Sequence, residues 1–320
     1  MDVNNNYFYF TVSVCTFGFI LNFIKIVVFS RQRLNRNTNI GSMHALLSVF
    51  NMFALANTLI LDNLLPYMSV YPRENSAILC KLFNFLPTFA SSLPAFQLVW
   101  ISTLFYLSIK RQIVYARIQR LKILAPVTCV LVVLAGVANS YNFLHELRTA
   151  QDIEHSYAYV DYEDLHELNK KYICYSSLIL TAIGDSINVS IRFFMPMLII
   201  GCLNVSLFVH MHHNNGRGKP LDILNSIKKK HRPFILAIIS MNILYFALYL
   251  PWFIAHILVY YSFFSKTINE HIILFYNYSW SISYLNYVLP FFIHVSLNRL
   301  FKTELVSMIP CCYISIKINK

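Results

Sequence analysis

Long apolar stretches alternate with short polar connections along most of the chain. Many of the stretches reach the length, about 20 residues, that an α-helix needs to cross the hydrocarbon core of a bilayer. Because lipid offers no hydrogen-bond partners to an open backbone, such stretches are expected to be helical. The seven predicted helices span approximately residues 7–30, 42–65, 80–109, 122–144, 186–210, 233–262 and 271–297. The pattern predicts one all-α domain over residues 1–320, a seven-transmembrane helix bundle.

The composition supports a membrane protein. Hydrophobic residues make up 57% of the 320 residues and charged residues only 12%, about half the charged share of a soluble domain. So few charges leave too little polar surface to cover a water-soluble globule. The lipid bilayer is therefore the expected environment.

The distribution of charge predicts the orientation. Lys and Arg gather in the first, third and fifth connections and in the tail, whereas seven of the fourteen acids lie between Glu146 and Glu167. The positive-inside rule then predicts an extracellular N-terminus and a cytoplasmic C-terminus in the plasma membrane. The net charge of +12 is interpreted as this topology signal, not as nucleic-acid binding. The acidic loop either attracts a cationic peptide or is simply solvated.

Four cysteines lie outside or at the ends of the predicted helices. Cys80 begins the third helix at its outer end, and Cys174 lies late in the acidic outer connection. An oxidising compartment allows a disulfide between them; two unrelated thiols are the alternative. Cys311 and Cys312 follow the last helix on the cytoplasmic side, where S-palmitoylation and an unmodified pair are the two alternatives.

A series of motifs in order along the chain resembles those of the rhodopsin-like G-protein-coupled receptors. The landmark residues are Gly18 and Asn22 on the first helix, Asn51 on the second, Pro196 on the fifth, Pro251 on the sixth, and Asn286 and Pro290 on the seventh. Residues 298–308 resemble the short amphipathic eighth helix that lies on the inner leaflet. The resemblance implies an extracellular small-molecule or peptide ligand, a hinge at Pro251, and a heterotrimeric G protein as partner.

Several positions depart from the family pattern. Phe105, followed by Tyr106, stands where the family carries an arginine at the inner end of the third helix. Asn51 replaces an acid, and His294 replaces a tyrosine after an early Pro290. These departures from the family pattern are similar to those of invertebrate chemosensory and peptide receptors. A non-signalling receptor-like partner protein and a small-molecule transporter or channel remain alternatives.

The resemblance also implies a ligand site in the outer half of the bundle. Pro87 stands where amine receptors carry an aspartate and Tyr284 where opsins carry a lysine, so neither a monoamine salt bridge nor retinal is implied, and no cofactor or metal is expected. Side chains that share helical faces on the last two helices are expected to line an aromatic cup. These are Tyr249, Trp252, Phe253, His256, Tyr276, Trp280 and Tyr284. The alternative is that they pack between helices or anchor at the membrane interface.

Three charges lie inside the apolar segments. Asp62 lies near the outer end of the second segment and is expected to reach water. Arg192 is costly at this depth, so it is expected to pair with Asp185 two turns outward, to bind an anionic ligand group, or to extend to the outer headgroups. Lys25 is expected to extend to the inner headgroups. Because no phosphate loop, zinc motif or nucleophile elbow is found, the chain is not expected to be an enzyme.

Overall fold

The chain folds as a bundle of helices. The computed structural model describes residues 3–31, 40–110, 114–115, 118, 124–148, 173–175, 178–214, 221–264 and 270–308. The helices are α1 (Val3–Phe29), α2 (Ile40–Asn57), α3 (Ala77–Lys110), α4 (Leu124–Ala138), α5 (Leu178–Val189), α6 (Met195–Asn214), α7 (Leu221–Phe264), α8 (Glu270–Ser283), α9 (Pro290–Leu297) and α10 (Arg299–Ser307). α3 packs against α2, α4 and α6, so it runs through the middle of the bundle.

Within the described residues, six helical segments are long and apolar enough to cross a membrane. They are Tyr7–Phe29, Gly41–Tyr67, Ala77–Lys110, Ala125–Leu144, Ser186–Ser206 and Leu236–Val259. The prediction of a multi-pass helical membrane protein is confirmed at this level. The outer faces are apolar, as on α4, where Val130, Val133 and Val137 are exposed.

The seventh predicted segment is helical but interrupted. It consists of α8, a single turn at Leu285–Val288, and α9, none of which is long enough to cross a bilayer alone. The backbone N–H of Tyr287 donates to Tyr284 O at 2.9 Å, which is the tighter three-residue spacing of a 3₁₀ turn. Pro290 has no N–H to donate to the preceding turn, so the second interruption falls at Leu289.

Two π-helical turns interrupt otherwise continuous helices. α2 continues through Thr58–Leu64 into Leu65–Tyr67, and α5 continues through Ser190–Phe194 into α6. Each π turn is followed by a proline, Pro66 or Pro196, which cannot donate a backbone hydrogen bond to the residue four positions earlier. The carbonyls left without that bond belong to the two charged residues Asp62 and Arg192.

A short antiparallel strand pair adds to the predicted all-α fold. β1 (Glu146–Arg148) pairs with β2 (Ile173–Tyr175), and Leu147 lies opposite Cys174. A disulfide joins Cys174 to Cys80 in the first turn of α3. The predicted pairing of these two cysteines is thereby confirmed, and it fixes the strand pair to one end of the bundle.

The largest core cluster joins α2, α3, the helix from α5 to α6, and α7, and aliphatic and aromatic side chains mix in it. It includes Phe105, Phe193, Tyr245, Tyr249 and Trp252. A second cluster joins α1, α9 and α10 around Phe29 and Phe301, which are both completely buried. The polar groups considered next lie between these clusters and the disulfide.

Candidate ligand-binding site

A cavity of about 390 Å³ lies beside the disulfide-anchored strand pair. Ligand pockets are commonly 300–1,000 Å³, so the volume suits a small ligand. Its walls come from α1, the π turn of α2, α3, α8 and the segment that follows α4. Aromatic side chains form much of the wall, namely Tyr7, Phe83, Tyr141, Tyr276 and Trp280.

Two opposite charges line the same cavity. Asp62 comes from the π turn Thr58–Leu64, and Arg73 comes from the single 3₁₀ turn Pro72–Glu74. The charges that act on the Asp62 carboxylate are those of Arg73 and Arg192. In the described part of the chain, Asp62 and Arg73 form no direct ion pair with each other or with another residue. Both charges are therefore available to a bound molecule.

His145 adds a neutral ring to the cavity wall. Its Nδ1 lies 3.0 Å from the Asn142 carbonyl oxygen; a carbonyl can only accept, so Nδ1 carries the proton and Nε2 keeps a lone pair. Burial lowers the pKa of His145, and the charge of Arg73 lowers it further, while the bond to Asn142 opposes the change. The ring is therefore neutral near pH 7 and presents an acceptor.

Two asparagine amides hold the wall together. The Asn84 amide nitrogen donates to Cys80 O at 2.9 Å and to Cys174 Sγ at 3.1 Å. The Asn142 amide nitrogen donates to Thr88 Oγ1 and to Asn139 O, both at 3.0 Å. Because the N–H groups are used internally, both amides offer mainly their carbonyl oxygens to the cavity.

The structure divides the sequence-predicted ligand residues into two groups. Pro87, Tyr276 and Trp280 line the cavity. Four others are almost completely buried below it: Arg192, Tyr249, Trp252 and Tyr284. Phe253 stacks on Phe193 at 4.9 Å between ring centroids, and His256 contacts Trp252 at 5.6 Å. Asp185 lies in α5, and its side chain is outside the described part.

Arg192 is enclosed by two tryptophans. Its guanidinium carbon lies 4.9 Å from the Trp280 ring centroid and 5.5 Å from that of Trp252. Arg192 is 2% exposed, so its side chain lies inside the bundle and does not extend to the headgroups. The Tyr245 hydroxyl donates to the Arg192 carbonyl, to which Pro196, four residues later, has no N–H to donate.

Trp280 connects the cavity to the buried cluster. One part of the ring lines the cavity, and the ring also packs on Arg192 and on Trp252 at 5.2 Å. Beyond Trp252, the hydroxyls of Tyr249 and Tyr287 are 3.1 Å apart. A continuous set of contacts thus runs from the cavity to the middle of α7 and to the interrupted segment after α8.

A hydrogen-bond network below this point joins three helices. Asn22 donates to Gly18 O and to Tyr287 O, both at 2.8 Å, and its own amide oxygen accepts from Asn51 at 3.2 Å. Asn51 and Asn286 line a cavity of about 30 Å³, together with Pro290. The residues singled out by the motif resemblance therefore do lie close together.

The remaining switch candidates lie on α3, α6 and α7. Phe105 is 5% exposed within the aromatic core, and the Tyr106 hydroxyl accepts from Ser206 Oγ at 3.3 Å. Pro196 is buried at the second position of α6, and Pro251 lies within the uninterrupted α7.

Three basic side chains are buried together near α10. Lys25, His44 and His294 each have no exposed surface, so the expected extension of Lys25 to the headgroups is wrong. The two imidazole centroids are 4.7 Å apart, and Phe29 contacts both rings. Lys25 Nζ lies 3.4 Å from the Asn22 amide oxygen, a long hydrogen bond that keeps the ammonium inside the bundle.

Sequence reasoning missed most of the polar side of the cavity. Asp62 carried a signal, since an acid inside an apolar segment is rare. Arg73 and His145 lie in connections between helices, where nothing in the pattern separates them from solvated residues. Cys311 and Cys312 lie outside the described residues.

No family model matches the chain, and the search of curated proteins finds no match either.

Proposed function

We propose that the protein is a cell-surface receptor of the rhodopsin-like type, which transduces an extracellular ligand to a heterotrimeric G protein. The observation that carries the proposal is the position of the 390 Å³ cavity. It lies beside a disulfide-anchored strand pair at one end of a helix bundle, and Trp280 links it directly to a buried cluster on α7. A receptor needs such a link between an outer site and the inner ends of its helices.

The proposed topology has seven crossings, with α8, Leu285–Val288 and α9 together forming the seventh. Their combined length suffices to cross the hydrocarbon core, and the breaks lie inside the protein, where irregular backbone is tolerated. α10 then runs along the inner leaflet, with Phe301 buried and Leu300 and Lys302 exposed. The cavity faces outside, and the basic connections lie in the cytoplasm.

The proposed mechanism is a shift between two conformations. A ligand that packs against Trp280 changes the position of that ring between Arg192 and the cavity. Trp252 and the Tyr249–Tyr287 pair respond, because they are in direct contact with this unit. Binding can shift the equilibrium only by the difference in affinity for the two states, so the contacts with Trp280 must differ between them.

Phe105 favours a second candidate function. In the family that the chain resembles, an arginine at this position contacts the G protein, but here a buried phenylalanine packs in the core. A receptor-like subunit that binds ligand without activating a G protein fits that substitution. The two candidates share the cavity and differ only at the cytoplasmic face.

A cell-based assay distinguishes these candidates. Cells that express the chain with a panel of chimeric G proteins are challenged with small-molecule and peptide libraries, and surface expression is measured in parallel. We expect a response that Trp280→Ala weakens at least tenfold. Phe275→Ala is the matched control, because Phe275 lies on the same helix but is 41% exposed.

The Phe105 position gives an independent test. If it occupies the family's arginine position, Phe105→Arg should raise basal signalling. Complete silence of surface-expressed wild-type protein and of Phe105→Arg across all G proteins would contradict the signalling proposal and support the second candidate.

A further inference from the structure

We propose that the cavity binds a free amino acid, with its ammonium group at Asp62 and its carboxylate at Arg73. The inference deepens the proposed function and rests on it for the signalling consequence, but binding itself is tested without a G protein. The cavity shares Pro87, Tyr276 and Trp280 with the ligand site that the motif resemblance implies, whereas Asp62 and Arg73 lie outside that predicted set.

The first step is the pairing of charges. Among the lining residues, Asp62 is the one carboxylate and Arg73 the one guanidinium that the described structure provides. They come from different elements, and neither forms an ion pair with another residue in the described part of the chain. A ligand with a single charge leaves one of the two without a partner, whereas a zwitterion satisfies both. Arginine binds carboxylates through two parallel hydrogen bonds, which adds geometric specificity.

The second step is the balance of donors and acceptors. An ammonium group carries three N–H donors, and one carboxylate does not use all of them. His145 contributes the Nε2 lone pair, and Asn84 and Asn142 contribute amide oxygens because their N–H groups bond to protein atoms. The wall is therefore rich in acceptors, and Arg73 is its charged donor. That imbalance matches an amine at one end of the ligand and an anion at the other.

The third step is size and shape. At about 390 Å³ the cavity lies near the lower limit for ligand pockets, which suits a single amino acid better than a peptide hormone. Phe83, Tyr141, Tyr276 and Trp280 form an aromatic wall. Such a wall favours an apolar or aromatic side chain, and its ring faces also attract the ammonium group. The predicted attraction of a cationic peptide by the acidic loop is not needed for this site.

The experiment measures binding to purified full-length protein in lipid nanodiscs. The probes are the twenty L-amino acids, each with its N-acetyl and its methyl-ester derivative, detected by isothermal titration calorimetry. We expect at least one apolar or aromatic amino acid to bind, and we expect each cap to weaken binding at least tenfold. Acetylation removes the charge that meets Asp62, and esterification removes the charge that meets Arg73.

Matched variants assign each end of the ligand. In Asp62→Asn the affinity for the free amino acid should fall at least tenfold, and acetylation should then cause little further loss. In Arg73→Gln the affinity for the free amino acid should also fall at least tenfold, and esterification should then cause little further loss. Glu74→Gln and Lys81→Gln remove one charge near the cavity without altering its lining residues, and both should bind as the wild type does.

Three outcomes would overturn the proposal. They are equal binding of capped and free amino acids, additive losses when a variant is combined with its matching cap, and no binding of any amino acid. Binding without any cellular response would instead leave the amino-acid site standing and contradict the receptor function. A cellular response to other ligands, with no amino-acid binding, would contradict the amino-acid site and leave the receptor function standing.

Discussion

Arg192 shows how a charge is tolerated inside an apolar bundle. Two indole faces cover the guanidinium, and the electrostatic attraction between the cation and these rings adds to the effect of burying apolar surface. Its backbone carbonyl has a separate donor in the Tyr245 hydroxyl. The side chain thus packs between the π turn, α7 and α8 without a direct ion pair to any described acid.

We expect Arg192→Lys to lower the free energy of unfolding by about 1–2 kcal/mol, because an ammonium cannot stack flat between two indoles. Arg192→Met should be at least as stable as the wild type, since replacing a buried charge with a well-packed apolar side chain is commonly neutral or stabilising. Thermal unfolding of detergent-solubilised protein measures both. Equal stability of the Lys variant and the wild type would show that stacking contributes little.

His145 gives the protein a pH dependence at the cavity that it lines. The folded state holds the pKa of His145 below its ordinary value, so the unfolded chain takes up this proton more readily. The contribution of His145 to stability is therefore complete above pH 6.5 and declines as the pH falls below about 6.5. His145→Gln should lose less stability than the wild type between pH 7.5 and pH 5.5. Melting curves at the two pH values test this, and a parallel loss in both proteins would contradict it.

At the residue scale, the sequence predicts some positions well because the residue type and its place relative to the helices limit what it can do. Cys80 and Cys174 were identifiable from placement alone. Trp280 and Tyr276 share a helical face, and that face does reach the cavity. Asp62 and Arg73 are brought together by a π turn and a 3₁₀ turn, and neither turn has a clear hydrophobic period.

Gly18 controls how closely α1 approaches its neighbours. A Cβ atom at this position would lie 2.8 Å from Leu55 Cδ1 and 2.8 Å from Val288 Cγ2. The close approach brings Asn22, one turn later, within reach of Tyr287 O. A larger residue at Gly18 would therefore separate three elements at once.

We expect Gly18→Ala to lower the free energy of unfolding by about 1–3 kcal/mol, the usual penalty for overpacking. Gly201→Ala is the matched control, because a Cβ there has no neighbour within 4 Å; it should stabilise by up to about 1 kcal/mol through helix propensity. Thermal unfolding of the two variants makes the comparison. A neutral Gly18→Ala would mean that Leu55 and Val288 can move aside.

The buried basic cluster makes the contact of α1, α2 and α9 less stable than an apolar one would be. Neither ring nitrogen of His44 or His294 has a hydrogen-bond partner among the described residues. A buried polar group without a partner costs about 1–3 kcal/mol.

His44→Phe keeps the ring stacked on Phe29 and removes both nitrogens, so we expect it to raise the free energy of unfolding by about 1–3 kcal/mol. His271→Phe, at the exposed start of α8, is the control, because this histidine has no buried ring whose nitrogens the substitution would remove. Destabilisation by His44→Phe in the same thermal assay would show that the ring nitrogens do make favourable contacts.

At the element scale, apolar length predicted the helices well and their ends less well. α7 begins at Leu221, twelve residues before the predicted start at 233, since polar residues continue a helix without adding to its apolar run. The interruptions at Tyr284 and Leu289 lie inside an apolar segment, so they cannot be predicted from hydrophobicity alone. The strand pair was missed because three residues are too few for a period of two.

The number of crossings determines on which side of the membrane the two ends of the chain lie. With seven crossings they lie on opposite sides, and with the six continuous spans alone they lie on the same side. The interrupted segment from α8 to α9 therefore decides the topology of the whole molecule.

We expect an epitope placed before Tyr7 to be labelled by antibody on intact cells, and one placed after Met308 to be labelled only after permeabilisation. The positive-inside rule predicts this arrangement. Labelling of both epitopes on intact cells would exclude the seventh crossing and, with it, a cytoplasmic α10.

The two π turns have a consequence for how relatives of this chain are to be recognised. A π turn holds one residue more than an α turn, so in an alignment with a regular helix it appears as a one-residue gap inside a helix. Without that gap, every residue beyond the turn is assigned to a face about 100° away from its true one. Asp62 and Arg192 each lie in such a turn, four residues before a proline, so in both helices the gap belongs just before that proline.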